Sequence, residues 1–263
     1  MIGGTNERNF SITMCTPQEQ KIIDLLSSGD LAKKRLAFKA IETLDLPFDW
    51  DEYVELAAWL REGEEGIIGA WDFREKRKWF SNREEAIISV FNQTSQGIQH
   101  EKLKVWDERI YRLPNLKVLD FHSNAFDEIP KSIKQLRRLE HLNLNKNCLT
   151  VIKAELDHNS LLEHLSLGHN KIHTIHTDFS QLEQLQYLDL AGNELTKLPE
   201  SIGCLSRLKH LNLNKNPLER LPKSIRKLMN LEQLSLLNTQ IPRGLVDQLT
   251  TQLPNCNILY SKK

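Results

Sequence analysis

Apolar residues recur with a period of 23 residues through the C-terminal part of the chain. Counting from Leu116, they occupy the first, fourth, sixth and eleventh positions of five successive copies, and asparagine occupies the ninth position of each. At 40 % apolar content, chance would fill these twenty apolar positions about once in 10⁸ trials. A sixth copy, beginning at Leu231, keeps the apolar positions but has Thr239 at the ninth. The pattern predicts six stacked repeats.

Each copy begins with the alternation of apolar and polar residues that is typical of a short strand. Leu142 and Leu144 of the second copy would point inward from one such strand, and successive strands would stack in parallel about 4.8 Å apart. The ninth residue falls where the chain turns inward, and an asparagine amide can both donate to and accept from buried backbone groups. We therefore expect a structural asparagine ladder that consists of Asn124, Asn147, Asn170, Asn193 and Asn216.

Segments such as LEHLNLNKNCL (139–149) and LPKSIRKL (221–228) resemble the leucine-rich repeat family, in its 23-residue class of intracellular and bacterial members. The resemblance covers about residues 98–260. It implies an α/β repeat protein, a curved leucine-rich repeat solenoid with a parallel β-sheet on the concave face. The second and third return segments lack the usual proline, and Asn159 replaces a leucine in the second. We expect a looser convex surface there.

The two ends differ from the repeats. A half repeat precedes Leu116, and residues 243–253 have helical apolar spacing followed by an alternating segment at 256–260. In the first part, the capping box at Thr16–Glu19 and the break at 28–30 indicate successive helices. We predict a small all-α N-terminal domain or cap at 1–96, a solenoid of the half repeat plus six repeats at 97–242, and a C-terminal cap at 243–263.

Composition narrows the choice of function. The chain holds 35 basic and 35 acidic residues, and this balance argues against a nucleic-acid partner. Residues 1–96 carry 12 basic and 17 acidic residues, whereas the remainder carries 23 and 18, so the two parts should attract each other. We find no apolar run of the roughly 18–20 residues that cross a bilayer. The four cysteines are scattered, which favours a reducing cytoplasm over a disulfide framework.

No motif points to a cofactor, a metal or a catalytic residue. The glycines at 63–69 lack the spacing of a phosphate-binding loop, and the basic and aromatic residues at 71–80 fit a solvated edge better than a nucleic-acid or membrane contact. Asp49, Asp51 and Glu52 fit helix capping. His141 and His164 should lie within about 5 Å on neighbouring strands. Their column contains no carboxylate or cysteine to complete a metal site, so we predict none.

The sequence therefore predicts a non-enzymatic interaction module, or scaffold, that binds a protein or peptide partner on the concave face. Two alternatives stay open: a bacterial effector or ligase-like protein whose repeats select its substrate, and an activity within residues 1–96. The oligomeric state is open too. The predicted partner-binding residues occupy the outward positions of the six strands: Val118, Asp120, His141, Asn143, His164, Ser166, Tyr187, Asp189, His210, Asn212, Gln233 and Ser235.

Overall fold

The computed structural model describes residues 21, 24–26, 28, 30, 32–34, 36–38, 95–97 and 102–261. The chain divides into two compact units, Met1–Phe91 and Asn92–Lys263. In the first unit, most described residues between 21 and 38 are helical, and the predicted break falls at Ser28. Asp30 Oδ1 accepts from the Ala32 amide at 2.8 Å, as a helix-capping side chain does. The remaining predicted helices of this part, the segment 63–80 and the carboxylates of residues 49–52 lie outside the described residues.

The described part of the second unit contains short strands: β1 (Ser95–Gly97), β2 (Val118–Asp120), β3 (His141–Asn143), β4 (Val151–Ile152), β5 (His164–Ser166), β6 (Thr174–Ile175), β7 (Tyr187–Asp189), β8 (His210–Asn212), β9 (Gln233–Leu236) and β10 (Asn257–Tyr260). Eight of them form one parallel sheet, in the order β1-β2-β3-β5-β7-β8-β9-β10. Neighbouring repeat strands pair residues that are 23 positions apart, such as Leu142 and Leu165, so the sequence period is also the register of the sheet. The other two strands, β4 and β6, pair with each other outside this sheet.

The repeated apolar residues form the core. All of those at the first, fourth, sixth and eleventh positions of the six copies are at most 2 % exposed. Phe121 and Phe126 fill two of these positions in the first copy and contact each other with ring centroids 5.4 Å apart. Burying a leucine side chain stabilises a fold by roughly 1.5–3 kcal/mol, so this repeated set supplies the main driving force for folding. The predicted solenoid core is confirmed.

Short 3-10 helices form the return side of the half repeat and of the first five copies. Apolar side chains within or directly after them, such as Ile202 and Leu205, are fully buried and close the core opposite the sheet. The helices of the first, fourth and fifth copies follow Pro130, Pro199 and Pro222. The helices span Glu108–Arg112, Lys131–Gln135, Ala154–His158, Phe179–Gln181, Glu200–Cys204 and Lys223–Lys227.

The second and third return segments are tied together, contrary to our expectation of a looser surface. β4 and β6 pair in parallel, and Thr177 Oγ1 donates to the Lys153 carbonyl at 2.6 Å. Asn159, in place of leucine, is fully buried and donates to the Ile133 and Leu136 carbonyls at 3.2 and 2.9 Å. Backbone pairing and a buried amide replace the missing proline and leucine.

Both ends of the sheet carry an added strand. At one end a helix, Arg243–Gln252, leads into β10, which pairs with β9, and Tyr260 donates its hydroxyl to the Ile241 carbonyl at 2.9 Å. Helix and strand lie where the sequence predicts them. At the other end β1 pairs with β2, so the predicted domain boundary between residues 96 and 97 falls inside a strand of the sheet.

A left-handed residue ends the strand region of every repeat. The eighth position has φ between 54° and 64° in all six copies, and five of the six residues are not glycine. Gly192 is the exception, where a Cβ would come within 2.8 Å of the His169 ring. This left-handed conformation turns the chain inward, so that the ninth residue is buried in the core.

Candidate functional site

The asparagine ladder stiffens the platform on which the site is built. Asn170 Nδ2 donates to the Leu144 carbonyl of the preceding repeat at 3.0 Å and to the Leu167 carbonyl of its own at 2.9 Å. Its Oδ1 accepts from the Leu149 amide at 3.0 Å. The other four ladder asparagines also accept from a backbone amide 21 residues earlier and donate to the carbonyl three residues earlier. Each asparagine therefore joins its repeat to the preceding one.

The twelve predicted partner-binding residues lie at the outward positions of β2, β3, β5, β7, β8 and β9, and ten of them are partly exposed. The other two, Asp189 and Ser235, are only 9 % and 4 % exposed, so they are less accessible than their outward positions predict. Asp189 Oδ1 turns to accept from the Ala191 amide at 3.0 Å. Ser235 lies between Asn212 on one side and Leu259 of the final strand on the other.

The second outward residue of most strands stabilises the turn that follows. Asp120, Asn143, Asp189 and Asn212 each accept, through a side-chain oxygen, from the amide two residues later at 3.0–3.3 Å. This is the local hydrogen bond that makes Asp and Asn frequent in turns. These residues shape the concave face as well as lining it.

Two asparagines that the sequence analysis missed also join repeats. Asn145 Oδ1 accepts from the Gly168 amide at 2.5 Å, and Asn214 Oδ1 accepts from the Leu237 amide at 2.6 Å. Both belong to an N-L-N-K-N segment, in the second and fifth copies. The sequence signal for these two asparagines was the alternation of three asparagines in this segment, since the repeat pattern requires only the last of the three.

An aromatic column runs across four neighbouring strands of the concave face: His141, His164, Tyr187 and His210. The rings of His141 and His164 stack with centroids 4.4 Å apart, as close as the strand spacing predicts. Tyr187 stacks on His164 at 5.7 Å, and His210 lies 6.2 Å from Tyr187. All four side chains are partly exposed. The column therefore presents ring edges and faces held in fixed register.

The surroundings of the two central rings of the column, His164 and Tyr187, keep these rings neutral. Burial lowers the pKa of His164, and the neighbouring His141 and His210 lower it further, while Glu163 acts in the opposite direction. Burial raises the pKa of Tyr187, with a smaller contribution from Asp189. At neutral pH the two central rings are uncharged, so they offer aromatic faces with polar edges rather than cationic groups.

A polar depression of about 420 Å³ flanks the column on the side where the strands begin. In this depression Lys209 Nζ lies 3.5 Å from Glu232 Oε1, and the Arg207 guanidinium donates to Gln184 Oε1 at 2.6 Å. Lys209 and Arg207 each have one partner and retain further N–H donors, because both side chains are exposed. The depression is lined by Gln186, Arg207, Lys209, Asn230 and Glu232.

Glu163 approaches the first two rings of the column from just before β5. Its carboxylate and a ring nitrogen from each of His141 and His164 all lie within 4.8 Å of one another. Glu163 does not belong to the outward column, so the column alone did not predict its part in this group. The sequence signal for Glu163 was its position immediately before His164. These three side chains are able to hold a metal ion.

Comparisons with family profiles and with solved structures agree on the repeat fold. A family profile described as "Leucine-rich repeat region" matches residues 154–256, and one described as "Leucine rich repeat" matches residues 114–172, so together they span more than half of the chain. No curated protein matches. Among the described residues, no helix has both the length and the apolar character needed to span a bilayer.

Solved structures with the same fold include an internalin, InlF of Listeria monocytogenes, at 23 % identity and a TM-score of 0.54, over 63 % of this chain and 48 % of that one. The ectodomain of the Arabidopsis thaliana receptor kinase GASSHO1/SCHENGEN3, in complex with CASPARIAN STRIP INTEGRITY FACTOR 2, is 29 % identical with a TM-score of 0.50, over 59 % of this chain and 19 % of that one. The plant peptide hormone receptor RGFR1 in complex with RGF2 is 24 % identical with a TM-score of 0.51, over 64 % and 32 %. The similarity thus spans less than half of each of these chains.

Proposed function

The chain belongs to the leucine-rich repeat family, and from this premise we propose that it is a non-enzymatic module that binds a protein or peptide partner on its concave face. The similarity to a leucine-rich repeat ectodomain solved in complex with CASPARIAN STRIP INTEGRITY FACTOR 2 supports a binding role for the repeats of this chain. The residues on the concave face of this chain provide the main support for this role.

The aromatic column is the observation that carries the proposal. Its rings stand in register on a sheet whose turns are fixed by the asparagine ladder, so the chain loses little conformational freedom when a partner docks. Tyrosine at the centre of an interface commonly contributes a large share of the binding energy. Tyr187 occupies that place, between His164 and His210.

The residues around the column define the chemistry of the partner. Asn143, Ser166 and Asn212 are small, polar and partly exposed, and the flanking depression adds charged groups of both signs. An apolar or aromatic centre surrounded by a polar rim is typical of transient protein interfaces. We infer a peptide or loop that places an apolar or aromatic side chain against Tyr187 and polar groups along the second outward positions.

We also place this module in a reducing compartment, the cytoplasm. Cys148, Cys204 and Cys256 are free in the structure, and Cys204 is exposed. Free exposed thiols are typical of proteins in reducing compartments.

Selection of peptides from a random display library against the full chain tests the concave site. Peptides that bind the wild-type chain should lose at least about tenfold in affinity against Tyr187→Ala, because a central aromatic anchor is worth 2 kcal/mol or more. Arg226→Ala is the matched control, since Arg226 is exposed on the 3-10 helix Lys223–Lys227, away from the sheet. Equal binding to wild-type chain and Tyr187→Ala, with loss in Arg226→Ala, would move the site to the convex side.

A further inference from the structure

His141, Glu163 and His164 form a compact group on the concave face. His141 and His164 are directly paired across β3 and β5, and Glu163 is the residue before β5. Within the part of the chain that the structure describes, these three are the set of His, Cys, Asp and Glu side chains whose ligand atoms converge, all lying within 4.8 Å of one another. All three are partly exposed, so an ion can reach them from solvent.

We propose that these residues bind a divalent transition-metal ion of the Zn²⁺ type. Two imidazoles and one carboxylate are a ligand set that such ions use in proteins, with water in the fourth position of a tetrahedral site. In a tetrahedral site with metal–ligand distances of about 2.1 Å, the ligand atoms lie about 3.4 Å apart. Side-chain rotation at half-exposed positions closes the difference, while the paired strands hold the two histidine backbones in place. This proposal replaces our expectation that the histidines hold no metal: the column itself has no carboxylate, but Glu163, one residue before His164, supplies one.

The surrounding residues favour this group over its neighbours. Tyr187 stacks on His164 and restricts the orientation of its ring. Glu140, the residue of the preceding repeat that corresponds to Glu163, already pairs with Lys117 at 2.7 Å. Glu163 forms no such ion pair with any described residue. His210 lies beyond Tyr187 and is separated from the group by that ring. The site is therefore confined to the second and third repeats.

Titration calorimetry of the metal-free full chain with ZnCl₂ at neutral pH tests the proposal, and the visible absorption of added Co²⁺ gives an independent readout of coordination. We expect one saturable site. Glu163→Gln and His164→Ala should each weaken Zn²⁺ binding by at least about tenfold, since even indirect partners of metal ligands contribute that much. Neither variant removes a core side chain, and circular dichroism verifies that each is folded.

Two control variants separate this site from other surface histidines. Glu140→Gln removes the corresponding carboxylate of the preceding repeat, and His210→Ala removes the last ring of the column. Both should leave Zn²⁺ affinity within about twofold of the wild-type value. The absence of saturable binding to the wild-type chain would overturn the proposal. So would Zn²⁺ affinity that is unchanged in both ligand variants. Because no partner is involved, neither result bears on the proposed peptide site.

Discussion

At the scale of single residues, one side chain per repeat links successive turns. Asn170 satisfies one amide and two carbonyls that are otherwise enclosed by leucines, and Thr239 at the end of the ladder satisfies only the Leu236 carbonyl, at 2.9 Å. Buried backbone groups that lose their partners cost free energy, whereas an apolar replacement recovers little of it. Stability should therefore depend on position along the ladder.

Asn170→Leu should lower the free energy of unfolding by about 1–3 kcal/mol, because it leaves the Leu149 amide without a partner and removes one of the two asparagine donors to the Leu144 carbonyl. Thr239→Leu should have a smaller effect, since one hydrogen bond is lost. Urea denaturation followed by circular dichroism measures both. Equal losses in the two variants would contradict the ladder argument.

The Asp189 carboxyl should contribute less favourably to stability at neutral pH than at acidic pH. Burial raises the pKa of its carboxyl, although the Ala191 amide, His169 and Asn212 act against this. A carboxyl whose pKa is higher in the folded than in the unfolded state favours folding when it is protonated, so its penalty is present above the folded pKa and disappears below the unfolded value of about 4.

Asp189→Asn should therefore raise the free energy of unfolding at pH 7, because the amide oxygen can still accept from Ala191 while the buried charge is gone. The gain should shrink as the pH is lowered from above the raised pKa of the folded state to about 4. Parallel urea titrations of wild-type chain and variant from pH 7 to pH 3.5 measure the difference. A stability difference that does not change with pH would show that the charge plays no part.

At the residue scale, the sequence predicted which side chains are buried but not how the polar side chains are oriented. The 23-residue period assigns each side chain to the core or to the surface, and every apolar repeat position followed it. Periodicity carries no information about rotamers. It did not show that the Asp189 side chain is buried against the following turn, or that Glu163, outside the strand, lies close to the two histidines.

At the scale of elements, the strands follow the sequence pattern more closely than the return segments do. Strands pair with a fixed register, whereas the return side adapts to the residues of each copy. Gly203 shows this adaptation: a Cβ at that position would lie 2.5 Å from both the Cβ and the carbonyl oxygen of Ser224 in the next 3-10 helix. The fourth and fifth return helices therefore approach through a contact that only glycine allows.

Gly203→Ala should destabilise the protein by about 1–3 kcal/mol, because the close contact involves backbone that cannot rotate away. The adjacent Cys204 is exposed, and Cys204→Ala should change stability by less than about 0.5 kcal/mol. Thermal unfolding of the two variants under identical conditions makes the comparison. A Gly203→Ala variant as stable as Cys204→Ala would mean that the two return helices can separate without cost.

The C-terminal helix provides a second test within one element. Leu249 is 6 % exposed and Leu245 is 43 % exposed, although both belong to the helical apolar spacing of residues 243–253. Leu249→Ala should cost about 2–4 kcal/mol, whereas Leu245→Ala should cost less than about 1 kcal/mol. Denaturant midpoints of the two variants measure the difference. Similar losses would show that the helix packs through another face.

At the scale of the whole molecule, a repeat array has two open ends, and each requires cover. The sequence predicted the C-terminal helix and strand, because both keep a recognisable apolar pattern. It did not predict β1, because Ser95–Gly97 has no leucine at the position that pairs with Leu119. A strand held by backbone hydrogen bonds leaves little trace in the pattern of side chains. The assignment of residues 1–96 as a cap stays a prediction.

Two truncations that differ only at β1 test this end of the sheet. Residues 92–263 retain β1 beside Val118–Asp120, whereas residues 98–263 expose the backbone edge of β2. Unpaired strand edges promote association, so the shorter fragment should aggregate and melt at a lower temperature than the longer one. Light scattering after gel filtration, with thermal melts of both fragments and of the full chain, measures this. A full chain that melts above 92–263 would support a capping role for the acidic N-terminal part, and identical behaviour of the two fragments would contradict the role of β1.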